Sequence, residues 1–269
     1  MKIFKKILDF YIDSSIHVAL TVYALIRITF IKLDLIYDEP VAYFGFYGTI
    51  VGYNFIKFDE LTRIKKIELT TKLKLIIGVS FLSFLATVFY FFNLNFQTKL
   101  YAAFALIITV SYTLPFFPKF KNIRNWSGVK IYLVAIAWMI VTVILPFINS
   151  EIEFSRDIIV LSIQRFLLIF VLMLIFEIVD LKSDDSNLKT IPQTLGISKT
   201  KYLGYLLLVL FFVVGLYAID YLENFTNNYF VVLLSLLFLY NSNEQKSKYY
   251  TSFWVESVPI FWWLMFLFF

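Results

Sequence analysis

Residues 158–180 read IIVLSIQRFLLIFVLMLIFEIVD, and the chain runs on through Leu181-Lys182-Ser183-Asp184-Asp185 to Asn187-Leu188-Lys189-Thr190-Ile191-Pro192-Gln193-Thr194-Leu195-Gly196. An apolar run of about 20 residues is the length of one bilayer crossing. This one closes on carboxylates: Glu177, Asp180 and Asp184 stand at i, i+3 and i+7. That spacing puts all three on one face if the helix continues so far. The segment therefore predicts a membrane helix with an acidic end.

The same texture extends in both directions. Of the 269 residues, 60% are apolar and only 16% charged, and the mean hydropathy is +0.79. A soluble domain of this size has no interior large enough for that apolar fraction, so lipid must solvate the excess. Further spans are expected near 14–31, 38–58, 74–92, 99–115, 129–148, 201–220, 226–241 and 251–268, the eighth in chain order being short. With 158–180 they predict an all-α integral membrane protein of about nine transmembrane helices in a single domain, 1–269. Residues 1–13 carry Lys2, Lys5 and Lys6 but are interrupted by Asp9 and Asp13, with no small-residue cleavage site following. They read as a cytoplasmic interfacial segment.

Charge placement gives the orientation. With the N-terminus inside, 19 of the 24 basic residues fall on one side. They include Lys57, Arg63, Lys65 and Lys66 after the second span, Lys119, Lys121, Arg124 and Lys130 after the fourth, and Lys182 and Lys189 after the sixth. The other side holds Asp34, Asp38, Glu39, Glu151, Glu153 and Asp157. By the positive-inside rule the basic side is cytoplasmic. There is no cysteine and a single histidine, His17, which excludes disulfides, thiolate chemistry and multi-histidine metal centres.

Three carboxylates at one end of an apolar helix repel one another unless a cation joins them. Mg²⁺ suits the position, because it takes one or two carboxylates and fills its other sites with phosphate oxygens and water. A solvated acidic loop is the competing reading.

The stretch resembles the second aspartate-rich motif of the UbiA prenyltransferase superfamily, a DxxxD closing the sixth helix and followed by Lys-Thr-x-Pro and Leu-Gly. Asp180 and Asp184 fill the two Asp positions; Lys189, Thr190, Pro192 and Gly196 match what trails them. Tyr112-Thr113-Leu114-Pro115, with its basic loop and then Gly128-Val129-Lys130, is a second match. The resemblance implies a UbiA-type bundle with an Mg²⁺-dependent site on the cytoplasmic side, in a bacterial inner membrane. There an isoprenyl group would pass from its diphosphate to a lipophilic, aromatic acceptor. It further implies that Asp180 and Asp184 hold the metal and that Glu177 shapes the site. Asn54, Lys57, Tyr112, Arg124, Lys130 and Lys189 would meet the substrate.

The first motif departs from the family. Where Asn-Asp-x-x-Asp-x-x-x-Asp is expected, the chain has Asn54, then Phe55, Phe58 and Thr62 at the Asp positions. Asp59 is one residue out of register, which on a helix rotates it by about 100°. Lys57, three residues after Asn54, is placed to meet the diphosphate directly, or else is an ordinary positive-inside residue. The degenerate motif keeps a second reading open: a catalytically impaired UbiA-fold protein serving as a lipid-binding or assembly subunit beside other membrane subunits. A transporter would show inverted repeats or paired broken helices, and neither is visible; nucleic acid is not an expected partner.

Other residues carry structural expectations. Gly45, Gly48 and Gly52 let a neighbouring helix approach, and Pro146 marks the end of the fifth span. Arg165 extends to the outer surface by snorkelling. His17 is a hydrogen-bonded interfacial residue or part of the substrate pocket. Glu256, inside an apolar stretch, needs a partner on the bundle side.

Overall fold

The structure, a computed structural model, describes residues 2–63, 70–113, 128–184, 188–218 and 221–268, which are helical with no strand among them. Helices lie at all nine expected positions: α2 (Ile16–Lys32), α3 (Glu39–Arg63), α4 (Thr71–Phe92), α5 (Phe96–Thr113), α6–α7 (Val129–Met139 and Leu145–Asn149), α8 (Arg156–Asp180), α10 (Ile197–Gly215), α11 (Tyr221–Asn241) and α12 (Val258–Phe268). Two more helices complete the set, the first at the expected interfacial segment 1–13 and the second not anticipated. The N-terminal α1 (Lys2–Asp13) is bent 59° from α2, and α9 (Ile191–Leu195) is a single turn inside the expected loop. Among the described residues five helices are long and apolar enough to cross a membrane, or six if α1 and α2 form one broken span, so length and apolarity alone do not carry the count to nine.

α8 is the axis of the bundle. Of its most apolar window 72% is buried, against 11% for α4. Leu168, Leu174, Ile175 and Ile178 of α8 pack against Phe211 of α10 and Trp262 of α12. A second core joins Val22 and Ile26 of α2 to Ala42 of α3 and Leu145 of α7. The outer faces of α4 and α5 leave Phe81, Leu82, Phe89, Phe104 and Ile107 exposed, a surface suited to lipid and not to water. On α1, Ile3, Phe4 and Ile7 are exposed together, in keeping with a helix lying at an interface.

Two helices are interrupted by π-turns, at Ile140–Ile144 and Tyr250–Val255. A π-turn fits an extra residue into the ladder and leaves carbonyls out of the regular pattern. α2 satisfies them. Thr29 Oγ1 donates to Thr142 O (2.6 Å), Thr21 Oγ1 to Glu256 O (2.6 Å), and His17 Nε2 lies 2.9 Å from Phe253 O. Replacing Thr29 by the isosteric Val removes that donor and also an acceptor used by Arg165 (3.2 Å). The expected loss is about 2 kcal/mol, from two buried hydrogen bonds, measured by unfolding in mixed micelles. Pro146 lies at the start of α7, two residues beyond the first π-turn, and the helix runs on to Asn149, so the proline follows a break and does not make the end.

The glycines of α3 are used unequally. A Cβ on Gly45 would collide with Ile26 Cδ1 of α2. Gly48 has ordinary space, and Gly52 has nothing within 4 Å. Only Gly45 marks a close helix approach.

Candidate functional site

At the C-terminal end of α8 the chain makes one more turn, with the Asp184 and Ser183 amides donating to Asp180 O (2.9 and 2.8 Å). That turn carries Asp184 round to the side of Glu177 and Asp180. All three line one cleft of about 80 Å³, with Lys130 and Gly128 from the start of α6, Met173 and Phe176 of α8, and Leu188 and Thr190. The spacing expected from sequence thus does converge. Glu177 is nearly fully buried, and its Oε2 accepts from Ile191 N (3.1 Å), fastening the first turn of α9 to α8. Gln193 Oε1 accepts from Thr190 N (3.0 Å), closing the same turn. Gly196, at φ 81, then lets the chain leave α9 directly into α10.

The electrostatics of the cleft are complementary. α8 presents its C-terminus, the negative pole of the helix dipole, and adds carboxylates to it. α6 presents its positive N-terminal pole together with Lys130. The cleft is acidic on one wall and cationic on the other. Lys189 is exposed and left-handed (φ 47), between the cleft residues Leu188 and Thr190. Among the described residues no group of three or more His, Asp or Glu forms a metal cluster. Mg²⁺ asks less than that: two hard carboxylates in one cleft are a sufficient protein share of its shell. Asp180 and Asp184 fit the ion on donor chemistry.

Asn54 and Lys57 do not line this cleft. Asn54 is buried under the break between α1 and α2. Its Nδ2 donates to Ser14 O (3.0 Å) and to Ser80 Oγ of α4 (2.8 Å), and its Oδ1 accepts from Ser15 Oγ (2.8 Å). Lys57 Nζ donates to Ser15 Oγ (3.0 Å) and Ile12 O (3.4 Å). The break itself needs this help, because Ser15 holds a left-handed backbone (φ 62). Asn54→Ala is therefore expected to cost about 2 kcal/mol by taking the donor from Ser14 O and the acceptor from the Ser15 hydroxyl. Diphosphate affinity should stay within about twofold; a loss of affinity with unchanged stability would return Asn54 to the substrate. The side chain of Tyr112 and all of Arg124, Lys119 and Lys121 lie outside the described residues, as do the side chain of Arg63 and all of Lys65 and Lys66.

No family model matches the sequence, and no curated protein does. Solved structures do match. A UbiA homolog from Archaeoglobus fulgidus bound to GPP and Mg²⁺ superposes with a TM-score of 0.66 at 11% identity, over 95% of this chain and 97% of that one. The apo structure of a UbiA homolog from Aeropyrum pernix K1 gives 0.67 at 12% identity, over 94% and 98%. The Archaeoglobus protein bound to DMAPP and Mg²⁺ gives 0.62 at 11%, over 95% and 96%.

The chain has the UbiA fold.

In this UbiA fold the remaining polar groups near α1 form one network. His17 is almost fully buried; its Nε2 reaches Phe253 O and Ser257 Oγ (3.1 Å), and its Nδ1 meets Tyr11 Oη (3.0 Å). A ring nitrogen facing a carbonyl must carry the hydrogen, so Nδ1 accepts from Tyr11. All of the ring's hydrogen bonding is used, which makes His17 a structural residue joining α1, α2 and the second π-turn. Glu256 lies within electrostatic reach of the exposed Lys57 and Lys248 but makes no ion pair with either. Asp13 closes the same end, taking Lys72 (2.5 Å) and Lys248 (2.7 Å). Burial acts to raise the Asp13 carboxyl, but these two ammoniums outweigh it and hold it below the usual carboxylate range. Its contribution to stability is present above the unfolded-state value and is lost as pH falls through the lower folded one. Thermal unfolding should show an acid-side drop that Asp13→Asn removes.

The UbiA fold also contains features that the sequence reading missed. The apolar cleft walls Met173, Phe176 and Leu188 carry no signal in a chain this apolar. Arg165 does not snorkel: it is fully buried. Its neighbour Gln164, also buried and bonded to Phe211 O (3.2 Å), was the available hint, since two adjacent polar residues on a membrane helix cover more than one face.

Proposed function

We propose that this chain is a membrane prenyltransferase of the UbiA type, transferring an isoprenyl group from an isoprenyl diphosphate to a lipophilic aromatic acceptor. Its reacting end would be the α8 cleft, on the cytoplasmic side of a bacterial inner membrane. The observation that carries this reading is the convergence of Glu177, Asp180 and Asp184 opposite Lys130 in a UbiA fold. Asp180 and Asp184 would hold Mg²⁺. Bound there, the ion would neutralise charge accumulating on the leaving diphosphate as the allylic carbon–oxygen bond breaks. Lys130 would meet a phosphate oxygen from the opposite wall, a point charge on a flexible stem. Met173, Phe176 and Leu188 would border the first isoprenyl carbons and keep water from them. Glu177 would act at one remove, holding α9 so that Thr190 and Leu188 stay at the mouth.

A second reading has an observation of its own. Asn54 and Lys57 are engaged at the α1–α2 break, and α3 has Phe55 and Phe58 where the family carries aspartates, so the cleft supplies one metal-binding half without its counterpart. That favours a catalytically impaired protein serving as a lipid-binding or assembly subunit of a membrane complex.

The deciding experiment is equilibrium binding of GPP to the purified protein with and without Mg²⁺, followed by product analysis with a panel of aromatic lipid acceptors. Mg²⁺-dependent binding with product supports transfer. Binding without product, or no binding under conditions where a known UbiA homolog binds, overturns transfer and supports the second reading.

A further inference from the structure

A second polar cluster sits on α8 itself, 15 residues before Asp180 and so roughly 22 Å along the axis. Arg165 is fully buried there, as is Trp262 of α12. Arg165 Nη2 donates to Thr29 Oγ1, but Nε and Nη1 have no partner, and neither has Trp262 Nε1. The Arg165 guanidinium stands 5.8 Å from the Trp262 ring centre, and the Lys32 ammonium 5.0 Å from the same centre. Lys32 is partly buried and donates to Asn228 Oδ1 of α11 (2.9 Å). Neither cation pairs with a carboxylate among the described residues.

Two cations gathered in an apolar bundle carry a desolvation cost of several kcal/mol each unless an opposite charge meets them. Arginine does not escape by losing its proton. The C-terminal dipole of α2 offsets part of the charge on Lys32, which lies in its last turn. Arg165 is more than two turns inside α8 and beyond the reach of either end. The aromatic ring that both approach softens their repulsion but does not cancel it. Unmet N–H donors from Arg165 and Trp262, spare donors on Lys32, and two uncompensated charges are all satisfied by one kind of ligand. We propose that Lys32, Arg165 and Trp262 form a binding site for an oxyanion, a carboxylate or phosphate group, at the end of the bundle away from the Glu177 cleft. The partly buried Lys32 marks the way in, at the boundary of α2, where either a soluble anion or a lipid headgroup would arrive.

The test is thermal unfolding of the full chain, read in two arms. In detergent, sodium phosphate and sodium acetate are each titrated against sodium chloride at constant ionic strength. In nanodiscs, phosphatidylglycerol is compared with phosphatidylcholine. The expected result is a rise in Tm of about 3 °C at tenfold excess over half-saturation, lost in Arg165→Gln and in Lys32→Gln. The same rise should be kept in Asp180→Asn/Asp184→Asn, which separates this site from the proposed diphosphate cleft. A rise in the detergent arm assigns a soluble oxyanion; one confined to the nanodisc arm assigns a lipid headgroup. If Arg165→Gln does not fold, Lys32→Gln alone decides. No rise in either arm, or a rise that survives Lys32→Gln, overturns the proposal.

Discussion

Asp180→Asn/Asp184→Asn is expected to abolish the Mg²⁺-dependent part of GPP binding, lowering affinity about 100-fold, or ~2.7 kcal/mol. Amide oxygens remain in place of the carboxylates, so shape and hydrogen bonding change little, whereas the negative charge that attracts a divalent cation is gone. The double change also relieves like-charge repulsion at the negative pole of α8, so the apo protein should be no less stable than wild type. That combination, weaker binding with equal or greater stability, distinguishes a ligand site from a structural one. Glu177→Gln supplies the contrast. The amide can still accept from Ile191 N, so α9 stays docked and affinity should fall by no more than a few-fold. Equal GPP affinity for wild type and the double variant, measured by calorimetry with Mg²⁺ present, would remove α8 from the proposed site.

Gly215→Val is expected to be the most damaging single substitution outside the cleft. A Cβ at this position would stand 2.5 Å from both Asn228 Nδ2 and Gln164 Nε2. Those amides belong to buried side chains that bind Lys32 and Phe211 O. Neither can swing aside without breaking its hydrogen bond, so the substitution combines overpacking with unsatisfied polar groups. A loss of about 3 kcal/mol or more follows, measured as a shift in denaturant midpoint in mixed micelles. Gly52→Ala is the matched control, because nothing lies within 4 Å of its added methyl. Higher helix propensity should leave that variant neutral or slightly more stable. Equal midpoints for the two variants would show that the α8–α10–α11 contact is looser than described.

Much of the architecture was legible before the fold was known, and the reasons differ from place to place. The apolar runs located the helices because a bilayer demands about 20 such residues irrespective of what packs on them. The carboxylate cleft was legible because Glu177, Asp180 and Asp184 are close in sequence and one helical end suffices to gather them. The role of Asn54 was not, since its partners Ser14 and Ser15 of the α1–α2 break and Ser80 of α4 are 40, 39 and 26 residues away. The α1–α2 boundary was legible, but its 59° bend was not, since it is made at Ser14-Ser15 without glycine or proline. Arg165 was misjudged for a more general reason. In a membrane protein the lipid-facing and core-facing sides of a helix are both apolar, so the pattern that orients a soluble helix is weak, and a lone arginine gives no direction.

Ile140–Ile144 and Tyr250–Val255 each wind in one residue more than an α-helix would hold. Deleting a single residue from either turn would let it relax into regular α-helix with the flanking segments still in register, and would return to the ladder the carbonyls that α2 now binds. For the second turn that would cost His17 and Thr21 their acceptors, the carbonyls of Phe253 and Glu256. Chain length in these two stretches is thus as constrained as residue identity. Insertions and deletions should be tolerated instead in connections such as 150–155, where no packed helix keeps the count.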